Sequence, residues 1–394
     1  MTNDTSPYDH ECELLHTLRG TPTLFAAISE LTGNEFQRQQ QLRSRFDAEL
    51  VRAALTLCDL RRRASDKFSR ATQMWLDPKG LEQATSELVA QHKSARFSGH
   101  VWDFCSGIGA DSIAIAGRGC QVSAVDLMPA TSLRAQWNAE VYGVAHNVQT
   151  IAADIETMSD RSGLLHIDPD RRPGPGRRVV RLEDCLPGLP VLQELSRQFV
   201  GGAIKLSPAS NFGGKFDNAE IELISLNGEC KEATVWFGSL AGDHPFRATA
   251  LPSGETLAAE PLSAWTNVGE LGAFLFDPDP TIVRAGLLDV LAERLGLRRL
   301  DDAEEYLTGD AFVSSPFLQA FEVSDNLTNN DKDIRAAFRR HSFGQVEIKC
   351  RHVPIDVEGV RRKLSLEGRD PGVLIFTRQA GKSRAVICRR VRAG

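Results

Sequence analysis

Three carboxylates and a pair of glycines carry the first chemical signal in this chain. Asp103-Phe104-Cys105-Ser106-Gly107-Ile108-Gly109-Ala110-Asp111 joins an apolar run to a helix-forming run. The glycines let backbone come close to a ligand, and a helix after them aims free N–H groups at the loop. Asp103 sits four residues before Gly107. A carboxylate there is a poor partner for pyrophosphate and a good one for an ammonium group. Asp126 follows Asp103 by 23 residues, where an acid can accept from both ribose hydroxyls. Asp154 closes the next run, placed to accept from an exocyclic amine such as adenine N6. The ordered set describes a ligand with an amino-acid end, a ribose and an adenine, and no phosphate. S-adenosylmethionine (SAM) has that chemistry. A nicotinamide site fits less well, because Ser112 stands where its third glycine belongs.

These residues need elements to hold them. Residues 1–98 read as helical, with Leu42, Phe46, Leu50, Ala53, Ala54 and Leu57 on one face of a long helix. Asp77-Pro78-Lys79-Gly80 reads as a break, followed by a second helix from Leu81 or Thr85 to about His92. From His100 the period changes. Strands are expected at 100–104, 121–127, 148–155, 164–168 and 201–208, with helices between them, which implies a parallel, doubly wound sheet. Residues 221–238 read as a hairpin turned at Asn227-Gly228. One helix is expected over 277–297. The end reads as helix 331–341, strand 344–351, helix 356–364 and a hairpin over 372–391. The domains expected are a helical region 1–98, a sheet domain 99–250, a partly helical connection 251–330 and a small basic α+β domain 331–394.

Residues 100–240 resemble the class I SAM-dependent methyltransferases, whose seven-stranded Rossmann-like sheet ends in an antiparallel hairpin. WLDPKGLEQATSELVAQH (75–92), AQWNAEVYGV (135–144), HIDPDRR (166–172) and VEIKCRHVPIDVEGVRRKLSL (346–366) resemble bacterial methyltransferases carrying a C-terminal THUMP-like domain. The same stretches are similar, more distantly, to trimethylguanosine synthases, which methylate a guanine exocyclic amine. Those enzymes carry Ser-Pro-Pro-Trp where this chain has Asp168-Pro169-Asp170-Arg171. The resemblance implies SAM binding at Asp103, Gly107, Gly109, Asp126 and Asp154, with Thr85 closing the pocket.

In such a fold the fourth strand ends beside the methyl group, so Asp168-Pro169 lies where the acceptor must sit. Methyl transfer is an in-line displacement, and positioning supplies much of the barrier reduction. The Asp168 carboxylate suits orienting an amine and taking its proton, and Pro169 stiffens the turn. Arg171, Arg172, Arg177 and Arg178 then read as a rim that receives RNA phosphates. Pairing of Arg171 or Arg172 with Asp170 or Asp184 is the alternative. Lys205 is either core-edge or catalytic. Cys105 and Cys185 read as packing residues rather than nucleophiles. Phe68, Trp75 and Trp137 read as core rather than as base-stacking platforms.

Net charge is −6, yet Arg335 to Gly394 holds 15 basic and 5 acidic residues against 31 and 47 in the rest. An acidic body with a basic C-terminal module suggests an anionic partner, here RNA. Eight scattered cysteines without Cys-x-x-Cys argue against a zinc site or a disulfide framework. With no membrane-length apolar run and no secretory signal, a cytoplasmic location and no membrane partner are expected. The expected function is RNA methylation at a base nitrogen or exocyclic amine by direct transfer. The alternatives are a methyltransferase acting on protein or a small molecule, and a SAM-sensing RNA-binding protein without catalysis.

Overall fold

A computed structural model describes residues 7–32, 35–171, 182–364 and 366–391. The chain folds as two compact units, one of residues 1–219 and 234–242, the other of 220–233 and 243–394. Among the described residues no helix is long and apolar enough to cross a membrane.

The first unit opens with helices Pro7–Arg19, Pro22–Glu30, Glu35–Arg43 and Ala48–Arg63. The long helix expected here is two helices. Asp47 caps the second by accepting from the Glu49 and Leu50 N–H groups, and a capping aspartate starts a helix rather than continuing one. Leu42, Leu50, Ala54 and Leu57 are buried as expected, in one core with Ile108, Ala130 and Trp137. The Asp77-Pro78 step is likewise a helix start. Asp77 accepts from the Gly80 N–H, Pro78 stands at the first helical position, and the helix spans Pro78–Gln83. A second helix, Glu87–Ser94, follows.

Strands then alternate with helices as far as the fifth, after which four strands follow with no helix between them. They are β1 (His100–Phe104), β2 (Gln121–Asp126), β3 (Val148–Ala152), β4 (Leu164–Ile167), β5 (Gly201–Leu206), β6 (Glu220–Leu226), β7 (Glu229–Gly238), β8 (Phe246–Leu251) and β9 (Glu255–Ala259). The sheet order is β9-β8-β6-β7-β5-β4-β1-β2-β3. The seven strands expected of the methyltransferase sheet are there, and two more extend its edge, β8 parallel to β6 and β9 antiparallel to β8. Around β1 the pairing is parallel on both sides, Asp103 lying opposite Ala124 and His166. Parallel strands align their C-terminal ends, so the residues ending β1, β2, β3 and β4 share one edge.

The rest of the second unit is a seven-stranded sheet. Its strands are β10 (Phe274–Pro278), β11 (Arg298–Arg299), β12 (Leu307–Gly309), β13 (Leu318–Thr328), β14 (Phe343–Cys350), β15 (Asp370–Gln379) and β16 (Lys382–Val391). They run in the order β11-β12-β10-β13-β16-β15-β14. Helix Asp331–Arg340 packs Ile334, Ala337 and Phe338 into a core with Phe343, Leu374, Phe376 and Ile387. The single helix expected over 277–297 is a strand end and two helices, Pro280–Arg284 and Leu288–Leu295. Asp277 and Pro278 pair with Gln319 and Leu318 in the sheet, and Gly286 at φ +69° turns the chain between the helices.

Candidate active site

The strand ends and the loop after β1 line a cleft of about 580 Å³ in the first unit. Asp103, Gly107, Asp126, Asp154, Thr85 and Asp168 all line it. Gly109 stands behind the loop as the N-cap of helix Ala110–Ala116, at φ +86°. A Cβ there would come within 3.1 Å of Ala135 Cβ, so both conformation and space call for glycine. At Gly107 the cleft side is open, with no atom within 4 Å of where a Cβ would sit.

Asp126 ties the loop to β2. Its Oδ2 accepts from Gly107 N and its Oδ1 from Met128 N, both at 3.0 Å. Burial raises its carboxyl above the ordinary range despite these bonds. Asp154 accepts from Glu156 N at 2.9 Å. Asp103 is fully buried. Its Oδ1 lies 2.7 Å from His166 Nδ1, and its Oδ2 accepts from the Ser112 hydroxyl.

His166 opens onto a buried network absent from the sequence reading. Its Nε2 lies 3.4 Å from Lys93 Nζ and 3.7 Å from Asp111 Oδ1. Lys93 pairs with Asp111 at 2.8 Å, and the Thr85 hydroxyl donates to Asp111 at 2.6 Å. Burial opposes ionisation of Asp111, but Lys93 and His166 outweigh it and hold the carboxyl well below its usual range. Burial also disfavours the imidazolium of His166, yet Asp111 and Asp103 outweigh it and raise that pKa. Thr85 therefore reaches the cleft through an ionic bed as well as lining it.

On the acceptor side, Asp168 and Asp170 line the cleft with Pro169 buried between them. Asp168 Oδ2 accepts from Lys205 Nζ at 2.5 Å, and Lys205 also donates to the Gln83 carbonyl at 3.0 Å. Burial leaves the Asp168 carboxyl above the ordinary range, with Lys205 pulling against it. Asp170 takes Lys79 Nζ at 2.7 Å and Gln83 Nε2 at 3.1 Å. Among the described residues its partners are thus a lysine and a glutamine of helix 78–83. Asp170–Arg171 forms a two-residue antiparallel ladder with Cys185–Leu186. Arg172, Arg177 and Arg178 lie outside the described residues, as does the Arg171 side chain.

Cys105 reaches the cleft, but burial, with Asp126, Asp168 and other acids around it, pushes its thiol far up, which opposes a thiolate nucleophile. Phe68, Trp75 and Trp137 are buried, as the packing reading expects. Lys205, left between core-edge and catalytic by the sequence, had a signal: it is the one charged residue in an otherwise apolar strand, GGAIKL, all six of whose residues are buried. Lys93 had none, being an ordinary helix lysine in sequence.

The chemistry of the lining fits a cationic cofactor without phosphate. Among the described residues nine carboxylates and two permanent cations, Lys79 and Arg134, line the cleft. The buried Ser106 hydroxyl at its glycine loop has no hydrogen-bond partner. Fold and cleft together define a SAM-dependent methyltransferase, and the chain belongs to that family. It is 33% identical over 347 residues to two proteins of Mycobacterium tuberculosis, from strains CDC 1551 / Oshkosh and ATCC 25618 / H37Rv. Both are described as uncharacterized S-adenosylmethionine-dependent methyltransferases, and the match covers 84% of this chain and 94% of theirs. Residues 98–173 match the family of RNA cap guanine-N2 methyltransferases, residues 318–390 a THUMP domain-like family, and residues 11–64 a domain of unknown function. The crystal structure of a Porphyromonas gingivalis W83 protein, provisionally assigned as a methyltransferase, shares the fold. Its TM-score is 0.76 at 19% identity, over 96% of this chain and 98% of that one.

Proposed function

We propose that this methyltransferase acts on RNA, transferring the methyl group of SAM directly to a base nitrogen or exocyclic amine. The observation that carries the reading is Asp168. It stands at the end of β4, in the cleft with Asp126 and Asp154, held by Lys205. The match of residues 98–173 to guanine-N2 methyltransferases of RNA caps supports an exocyclic amine as acceptor, and the THUMP domain-like match at 318–390 supports RNA as its carrier.

In this reading Asp103 faces the cofactor ammonium, Asp126 accepts from the ribose hydroxyls, and Asp154 accepts from the adenine amine. Thr85 closes the methionine end. SAM supplies a methyl group on a sulfonium. Asp168 Oδ2 is taken by Lys205, which leaves Oδ1 to accept an acceptor N–H, orient it and receive its proton as the nitrogen–methyl bond forms and the methyl–sulfur bond breaks, with S-adenosylhomocysteine as the leaving group. In the same reading the arginines at 171, 172, 177 and 178 supply phosphate contacts, and the basic C-terminal strands and helices supply more.

The test is transfer of labelled methyl from SAM into total RNA, with nucleoside analysis, comparing wild type and Asp168→Ala. RNase-sensitive label from the wild type, lost in the variant, is the expected result. A protein or small-molecule amine is the second reading. It is favoured by one observation: no phenylalanine, tyrosine or tryptophan to stack on a base is found among the described residues of the cleft. Label that survives RNase in the protein fraction or the small-molecule fraction would select it.

A further inference from the structure

We propose that Lys205 and Gln83 are positioning residues that hold the carboxylates of Asp168 and Asp170 toward the acceptor, making helix 78–83 part of the acceptor site; the proposal rests on the reading of Asp168 as the acceptor-facing group. Three segments distant in sequence meet at these acids. Strand β5 brings Lys205, whose side chain is 5% exposed. A buried ammonium needs fixed acceptors, and Lys205 has the Asp168 carboxylate and the Gln83 carbonyl. That carbonyl is free to accept because it lies at the end of its helix, where no following turn uses it. The same residue turns its side-chain amide to Asp170 Oδ1, while Lys79, one turn earlier, takes Asp170 Oδ2.

The links differ in weight. Lys79 is 65% exposed, and its pair with Asp170 is of the weak surface kind. The Lys205–Asp168 pair, at 5% and 24% exposure, is the firm one. Asp168 also lies near Asp111, Lys93 and Cys105, and Asp103 and Asp170 stand close by in the same cleft. Among these groups Lys205 is the cation in contact with it. Without Lys205, a half-buried carboxylate among acids would turn away or take up a proton, and an acceptor amine would lose the group that orients it. Gln83 couples the two acids, so the Asp-Pro-Asp turn is braced from the opposite wall.

The experiment uses the full chain. SAM affinity is measured by calorimetry. Transfer of labelled methyl from SAM is measured into the RNA, protein and small-molecule fractions of a cell lysate, across pH. Lys205→Met is expected to keep SAM affinity within about 3-fold and lose about 100-fold or more in transfer, the scale of a displaced proton acceptor. Its residual rate should rise at higher pH than that of the wild type. Lys205→Arg, which keeps the charge, should recover part of the rate with the wild-type acid limb, and carries the test if Lys205→Met does not fold. Gln83→Leu should lose about 10-fold in transfer with unchanged SAM affinity. Wild-type transfer by Lys205→Met, or proportional loss of SAM binding and transfer, would overturn the proposal. Label in the protein or small-molecule fraction instead of RNA would reject the RNA reading while the Lys205 comparison proceeds on that fraction. No label from the wild type in any fraction rejects both.

Discussion

Asp126 holds the loop after β1, and the proposed reading gives it the ribose hydroxyls as well. Its two oxygens each accept a backbone N–H, from Gly107 and Met128, and each retains a lone pair on the cleft side. Hydrogen bonds to a charged group contribute about 1.5–3 kcal/mol. Asp126→Ala is therefore expected to weaken SAM binding by about 10- to 100-fold, read by calorimetry; unchanged affinity would remove Asp126 from the site. The network below is a second residue-scale matter. His166 has a raised pKa, so its stabilising contribution is complete below the unfolded value near 6.5 and is lost as pH rises through the folded value. Asp111 has a lowered one; its contribution is complete above the unfolded value and is lost as pH falls toward the folded value. The network is thus strongest from about pH 4 to about 6.5. Thermal midpoints should fall between pH 6 and 9 more for wild type than for His166→Asn, and parallel curves would refute this. That Asp103, Asp126, Asp154 and Asp168 share one cleft was legible because each lies at or just past the C-terminal end of a strand, where sequence period and acid coincide. His166 and Lys93 were not, because burial of a charged side chain depends on which partner another segment brings to it.

The elements obey capping and turn chemistry more closely than periodicity alone suggests. Asp47 and Asp77 both start helices. Reading Asp77-Pro78 as a break missed the first turn of the short helix that brings Lys79 and Gln83 to Asp170. The loop after β1 depends on Gly109, whose left-handed backbone and contact with Ala135 exclude a side chain. Gly109→Ala is expected to destabilise the fold by about 1–2 kcal/mol and to reduce SAM affinity as the loop shifts; urea unfolding and calorimetry measure the two effects. The expected 277–297 helix failed because amphipathic periodicity reports neither a sheet partner for Asp277 and Pro278 nor the turn at Gly286.

For the whole molecule, the segregation of charge and the order of strands make separate predictions. If the basic C-terminal segment meets RNA, binding of a structured RNA should weaken steeply with salt, each neutralised phosphate adding about 0.7–0.9 to the log–log slope. A flat slope would count against RNA as partner. A chain ended at Asn330 keeps β10 to β13 and loses β14 to β16, which leaves the β13 edge without its partner β16. Exposed edges promote association, so that chain should aggregate or melt without a cooperative transition, as light scattering and calorimetry would show. The sequence alone determined the alternation of strand and helix, the acids at the strand ends and the concentration of basic residues at the C-terminus, since each is a local pattern of side-chain type and spacing. Tertiary structure alone decided that Lys205 meets Asp168, that Gln83 spans to Asp170, and that β10 and β13 share a sheet with β14 to β16. Those are pairings of residues far apart in the chain, and their energies arise only when packing removes water and fixes the distance between them.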